Sequence, residues 1–263
     1  MSISLTSFAS GSICTGYTWS VEDIDELASH IAVVAVGQAD HLSEILANAG
    51  IKYSTTESTT DSWAVQSALE LLTASPTDPY HRDGWIFQVM SWIAAYRGSP
   101  NAIIRAPHMI KAHKGFDGIQ VEIADLTFAI NAVVIFEDKA TENPRSVIRD
   151  DVWPDFRGLE SGKEQNVLVA EVTTLLKGAG HSGAVKAVKD IIWRDNKHYR
   201  LSITIGQTHS SPEGWARLFA DYEDVAPGDL ARRRAETWTV DNLRPWLHDL
   251  AERAKAKIQS MGV

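Results

Sequence analysis

The hydrophobic positions of this chain change period several times, and each change marks a different element. From Gly118 to Ile123, Ile119, Val121 and Ile123 alternate with Gln120 and Glu122, the period-2 signature of a strand with one apolar side. The run from Ala132 to Phe136 is continuous and β-branched, which predicts a strand buried on both faces. Leu201, Ile203 and Ile205 alternate with Ser202 and Thr204, so Tyr199 to Ile205 is expected to join the same sheet. A further strand fits between about Ala102 and Ile110, with Pro107 limiting its pairing. Helical spacing takes over at Trp85, Ile86, Val89, Trp92, Ile93 and Tyr96, predicting a buried helix stopped by Gly98-Ser99-Pro100.

Ahead of this core the pattern is helical. Ser20 before Val-Glu-Asp predicts a capped helix from near Val21 toward Val36, followed by helices over Asp40 to Asn48 and from Asp61 or Ser62 to about Leu72. The polar stretch 54–62 is a loop, and residues 1–20 read as an extended arm or a short hairpin. Two prolines, a glycine and two aspartates concentrate in 75–84, giving a mostly helical region 1–80 and a second domain 81–263. After the central strands, residues 141–165 read as a loop with at most short helical pieces. Helices are then expected over Gln165 to Leu176, 184–193, Glu213 to Tyr222, and from Thr239 or Asp241 through Ile258. The fold class is α/β (α+β), a mixed sheet flanked by helices with a helical N-terminal region.

Composition adds limits. Of 263 residues, 44% are hydrophobic and 22% charged, as in ordinary globular proteins. A net charge of −9 argues against a general nucleic-acid coat, although an acidic metal site with a local basic groove or a partner subunit remains compatible with it. The single Cys14 precludes an intrachain disulfide. The first residues lack a signal-peptide pattern, and no apolar run approaches the roughly 18–20 residues of a membrane span. A cytoplasmic protein that does not enter a membrane is therefore expected.

The candidate chemistry lies between Lys114 and Lys139. Asp117 follows a glycine turn, and Glu137 and Lys139 end the apolar run, two residues apart and so on one side of the strand. Adjacent strands would gather two carboxylates and one ammonium, a set suited to metal-assisted phosphodiester hydrolysis. Rival motifs are missing: the chain has no GxxxxGK[ST], no GxGxxG after a strand and no HExxH. Ser182, in GAGHSG, lacks a GxSxG elbow and reads as part of a flexible loop.

Phe116-Asp117-Gly118 and Phe136-Glu137-Asp138-Lys139, within residues 83–205, resemble the PD-(D/E)xK (restriction-endonuclease-like) nuclease superfamily. The resemblance implies that Asp117 and Glu137 hold Mg²⁺ or Mn²⁺, with the Asp138 backbone carbonyl as a further ligand, and that Lys139 orients or activates the attacking water. Many members carry a glutamate on the preceding helix. Gln88 stands there in this chain, read either as a neutral ligand or as an ordinary polar residue at the helix edge. His108, Lys111, His113 and Lys114 are candidates for substrate contact or for a solvated loop, and Gln165 is preferred over Glu171 as a substrate-touching helix residue. Arg232, Arg233 and Arg234, with Arg244, Arg253, Lys255 and Lys257, would line a DNA path or decorate an exposed face. Trp153 and Trp193 would stack bases or anchor a partner, or pack like the other tryptophans. The segments Gly115 to Ile119 and Glu137 to Asn143, with the closing tryptophan-bearing helix, are similar to the nuclease subunit of Hachiman antiphage systems. This implies DNA as substrate, a helicase/ATPase partner subunit and a role in defence. The competing reading is a catalytically silent relative that binds nucleic acid or a partner protein.

Overall fold

The computed structural model describes residues 2–47, 62–75, 79–111, 115–123, 130–181 and 196–261. Most of the polar loop from 54, the expected helix 184–193, and His113, Lys114, Ser182 and Trp193 lie outside them. A single seven-stranded mixed sheet runs through the molecule in the order β1-β2-β7-β6-β5-β4-β3. Its strands are β1 (Ile3–Ser10), β2 (Cys14–Val21), β3 (Ile103–Ile104), β4 (Gly118–Ile123), β5 (Ile130–Lys139), β6 (Lys197–Ile205) and β7 (Arg233–Thr239). β5, β6, β7 and β2 run parallel to one another, while β1, β3 and β4 are antiparallel to their neighbours.

The continuous apolar run in β5 has the cause expected of it, because both faces of the sheet are covered. Ala132, Val134 and Phe136 face α4 (Tyr80–Gly98) and share one hydrophobic cluster with α1 (Ile24–Ala35) and α10 (Leu243–Met261). Val133 and Ile135 face the other layer, with Trp153 and Phe156 of α6 (Trp153–Glu160), Leu168 and Val172 of α7 (Gln165–Gly178), and Tyr222 of α9 (Tyr222–Val225). Burying each large side chain of this kind stabilises the fold by about 1.5–3 kcal/mol before entropy is counted. The remaining helices are α2 (Ala39–Ala47), α3 (Ser62–Leu71), α5 (Pro144–Val147) and α8 (Pro212–Leu218). Among the described residues no helix is long and apolar enough to cross a membrane.

Several expectations need correction. Of the arm or short hairpin expected over residues 1–20, the hairpin is what forms, and it is built into the sheet: β2, second in the strand order, lies parallel to β7. The approach is so close that a Cβ on Gly16 would fall 1.6 Å from the Ala235 carbonyl oxygen, so no other residue fits there. The first helix begins at Ile24 and is capped by Asp23, whose Oδ1 accepts the Asp25 and Glu26 N–H groups, because Ser20 and Val21 are used by β2. Residues of 1–80 contribute to one hydrophobic cluster with α4, Trp238 and α10. α4 begins inside the segment 75–84, at Tyr80. Only Ile103 and Ile104 of the stretch 102–110 pair as a strand. Residues 144–160 are helical throughout, α5 and α6 being joined by a π-turn at Ile148–Val152.

Candidate functional site

β4 and β5 are in register with Gly118 opposite Phe136, so Asp117, one residue earlier, reaches the level of Glu137. Glycine is required at 118, where a Cβ would lie 2.5 Å from the Phe136 ring. α4 crosses this end of the sheet and adds Gln88. The result is a cleft of about 440 Å³ whose lining includes Tyr80, Gln88, Asp117, Lys139, Asp151 and Arg244.

Within the cleft, Asp117 Oδ1 accepts an N–H from Gln88 Nε2 at 2.5 Å, and Oδ2 accepts the Asp138 backbone N–H at 2.8 Å. Glu137 Oε1 pairs with Lys139 Nζ at 2.5 Å, the same-side placement that alternation dictates. Arg105 steadies the approach to Asp117: it donates to the Phe116 carbonyl and is itself held by Glu171 Oε2 at 2.5 Å.

The electrostatics of this group are unfavourable as they stand. Burial pushes the Glu137 carboxyl up to about 7, and the Asp117 charge adds to that against the pull of Lys139. Burial likewise pushes Asp117 up to about 6, reinforced by Asp138 and opposed by Lys139, the Asp138 N–H and Gln88. Burial works against the charge of Lys139, but Glu137 and Asp117 outweigh it and hold the ammonium above its usual range. Two carboxylates therefore compete for one cation.

The side chain of Asp138 takes the opposite face. Its Oδ1 accepts the Ser91 hydroxyl at 2.6 Å, and Arg200 stands 3.9 Å away. Arg200 grips Glu236 through Nε and Nη2 at 2.7 and 2.6 Å, donates to Ser91 Oγ at 2.6 Å, and stacks on Phe136 at 4.4 Å. Trp19 Nε1 completes the cluster by donating to Glu236 Oε2 at 2.5 Å. Burial pushes the Asp138 carboxyl up to about 6 even though Arg200 and Ser91 oppose it.

The other sequence candidates are dispersed. Gln165 begins α7, whose link to the site runs instead through Glu171 and Arg105. Lys111 donates to the Glu70 and Thr73 carbonyls at the C-terminal end of α3. The His108 carbonyl accepts the Trp85 indole N–H at 2.6 Å. The run Arg232 to Arg234 forms no open basic path. Arg232 binds Glu160 at 2.6 Å, Arg233 serves the carbonyls of Ser12, Ile13, Ala226 and Gly228, and Arg234 forks onto Glu122 at 2.5 and 2.9 Å. Trp153 is core: it stacks on Tyr222 at 4.6 Å and donates to the Ala220 carbonyl at 3.0 Å. Arg253 pairs with Asp25 and Asp249, and Lys255 with Glu252, on an exposed face of α10.

Tyr80 and Asp151 of the cleft were not singled out by the sequence. Asp155, outside the cleft lining, was not singled out either; its charge is a minor influence on both Glu137 and Lys139. A π-turn just before α6 was the structural signal for Asp151 and Asp155, and it has no local sequence signature.

The donor chemistry at Asp117 and Glu137 suits a hard divalent cation, because bound positive charge would relieve the repulsion that burial imposes. Among the described residues no group of three or more His, Cys, Asp or Glu converges to hold a metal ion. A cation here would therefore draw on the Asp138 backbone carbonyl and on substrate or solvent oxygens. Gln88, as placed, holds Asp117 through its amide N–H rather than offering its oxygen. No protein-family model matches the chain, and no curated protein matches it.

Proposed function

We propose that the protein is a metal-dependent nuclease with a restriction-endonuclease-like core, hydrolysing DNA phosphodiester bonds through Asp117, Glu137 and Lys139. One observation carries this reading: two part-buried carboxylates and a lysine gather beside a cleft at the ends of two paired strands, with more negative charge than their protein partners neutralise. The antiparallel β4–β5 pair, the parallel β6 and the helix α4 across them are in keeping with such a core. Mg²⁺ or Mn²⁺ held by Asp117, Glu137 and the Asp138 carbonyl would supply Lewis-acid stabilisation of the charge that develops on the phosphate. Asp117 is oriented by Gln88 and by the Asp138 N–H, which fixes both of its oxygens. Lys139, firmly charged, orients the attacking water and stabilises its deprotonated form. The acidity of the chain and its lack of a P-loop suit an effector subunit of an antiphage complex, with substrate delivered by a helicase/ATPase partner.

The hydrogen bonds already satisfying Asp117 and Glu137 favour one alternative, a catalytically silent protein that binds nucleic acid or a partner through the same face. Incubation of plasmid and linear DNA with Mg²⁺, Mn²⁺ or EDTA separates the two. Metal-dependent cleavage is expected, falling at least about 100-fold in Glu137→Ala and in Lys139→Ala. Cleavage that persists in EDTA, or that survives both substitutions, sinks the mechanism.

A further inference from the structure

We propose that Tyr80 and Arg244 form a nucleotide subsite on the wall of the candidate cleft, taking the base and adjoining phosphate of an unpaired nucleotide. The inference rests on the nuclease reading and names its substrate class, DNA with single-stranded segments or frayed ends.

Tyr80 opens α4, lines the cleft and is 62% exposed. Arg244, in the first turn of α10, lies beneath the ring with its guanidinium carbon 4.5 Å from the ring centroid. The guanidinium is fixed at two points. Nη1 donates to Asp83 Oδ2 at 2.8 Å, and Nη2 donates to the Ala140 carbonyl at 3.1 Å, one residue beyond Lys139. Asp83 is wholly buried and also accepts two N–H groups from Arg82, so its position is set by the core. Arg244 Nε is buried with no hydrogen-bond partner among the described residues. A guanidinium carries five N–H groups; with Nε buried and one N–H of each Nη engaged, the second N–H of Nη1 and of Nη2 is left for a phosphate.

Charge and shape then select the ligand. Asp117, Glu142 and Asp151 line the cleft, and Lys139 is engaged by Glu137, so a phosphate entering from solvent meets Arg244 as an anchored cation on the wall. The exposed ring above it offers a flat apolar surface. Bases stack on such rings with little regard to identity, but a base inside a duplex already has both faces covered. The pair thus fits an unpaired nucleotide whose neighbouring phosphate sits at the catalytic carboxylates.

Binding of a labelled single-stranded oligonucleotide, and of a blunt duplex of the same length, is measured by fluorescence anisotropy with Mg²⁺ in a Lys139→Ala background. The single strand is expected to bind more tightly. Tyr80→Ala should weaken that binding by about 5- to 150-fold and Tyr80→Phe should restore most of it, with duplex affinity little changed. Arg244→Gln should lower the salt dependence of single-strand binding by about one phosphate contact. Because Arg244 also serves buried Asp83, the exposed Tyr80 pair of variants is the deciding one. Equal affinity for both DNAs, an unaffected Tyr80→Ala, or no DNA binding at all overturns the proposal. DNA cutting by the unsubstituted protein without a Tyr80 effect leaves the nuclease reading standing and removes the subsite; a Tyr80 effect without cutting under any cation does the reverse.

Discussion

Residues 137, 138 and 139 follow one another on β5, yet their side chains enter two very different polar environments. On one face, Asp138 joins Ser91, Arg200, Glu236 and Trp19 in a buried network in which each carboxylate has donors to meet it. On the other, Glu137 and Asp117 share Lys139 as their one cation; burial raises the proton affinity of both, as it does that of Asp138. Both clusters are acidic, basic and largely shielded. The difference is completeness: the first is closed by the protein, whereas the second stays electrostatically frustrated until something positive arrives.

The strongest way to break this contrast is to open the closed side. Arg200→Met strands Asp138 and Glu236 without their cation and should destabilise the fold by about 3–5 kcal/mol, seen as a fall in the urea midpoint. By comparison, Glu137→Gln should leave stability at neutral pH unchanged or raised while removing cleavage. A Glu137→Gln loss as large as that of Arg200→Met would erase the distinction.

A smaller effect sharpens it through pH. Burial raises the Glu137 carboxyl to about 7 and those of Asp117 and Asp138 to about 6, from ordinary values of 4.5 and 3.8. Between those limits the unfolded chain binds fewer protons than the native one, so stability falls as pH rises and the cost is complete above about 7. Lys139, shifted upward, contributes a constant gain over this window, because its stabilisation is lost only on the alkaline side. The metal-free protein should therefore be more stable at pH 5 than at pH 8, with Mn²⁺ recovering stability at pH 8 and Glu137→Gln flattening the profile. Urea titrations at the two pH values, with Mn²⁺ or with EDTA, measure this. The smallest change is expected at Glu171, whose ion pair with Arg105 is partly exposed. Glu171→Gln should cost less than about 1 kcal/mol, because Arg105 keeps its bond to the Phe116 carbonyl.

The sequence disclosed the open side better than the closed one, for a physical reason. Asp117, Glu137 and Lys139 stand out because period-2 alternation and an apolar run are local signals, and charges ending such a run are conspicuous. The partners of Asp138 come from α4, β6, β7 and β2, and no local pattern announces a network assembled at such separations. β7 was hidden for the same reason: Arg233 and Arg234, with Arg232 just before it, look like surface charge, and only the fold brings Glu160, Glu122 and spare carbonyls to them. The helical path 144–160 was obscured by prolines. Pro144 occupies a first-turn position where no N–H is needed, and Pro154 follows the π-turn, where the ladder is already shifted. Tyr80 and Asp151 escaped notice because they fall in stretches that read as boundary and loop.

The β2–β7 pairing also sets a schedule for synthesis. β2 is complete when residue 21 has been made, but the strand beside it ends at Thr239. At about 5–20 residues per second, the hairpin waits at least ten seconds for its neighbour, with one edge unpaired. Over that interval Trp19 lacks Glu236, and Arg200, once made, lacks it too. The closed network is thus among the last features the nascent chain can acquire, and a ribosome stalled before Arg233 would hold a protein with its candidate catalytic strands made and its buried charges unmatched.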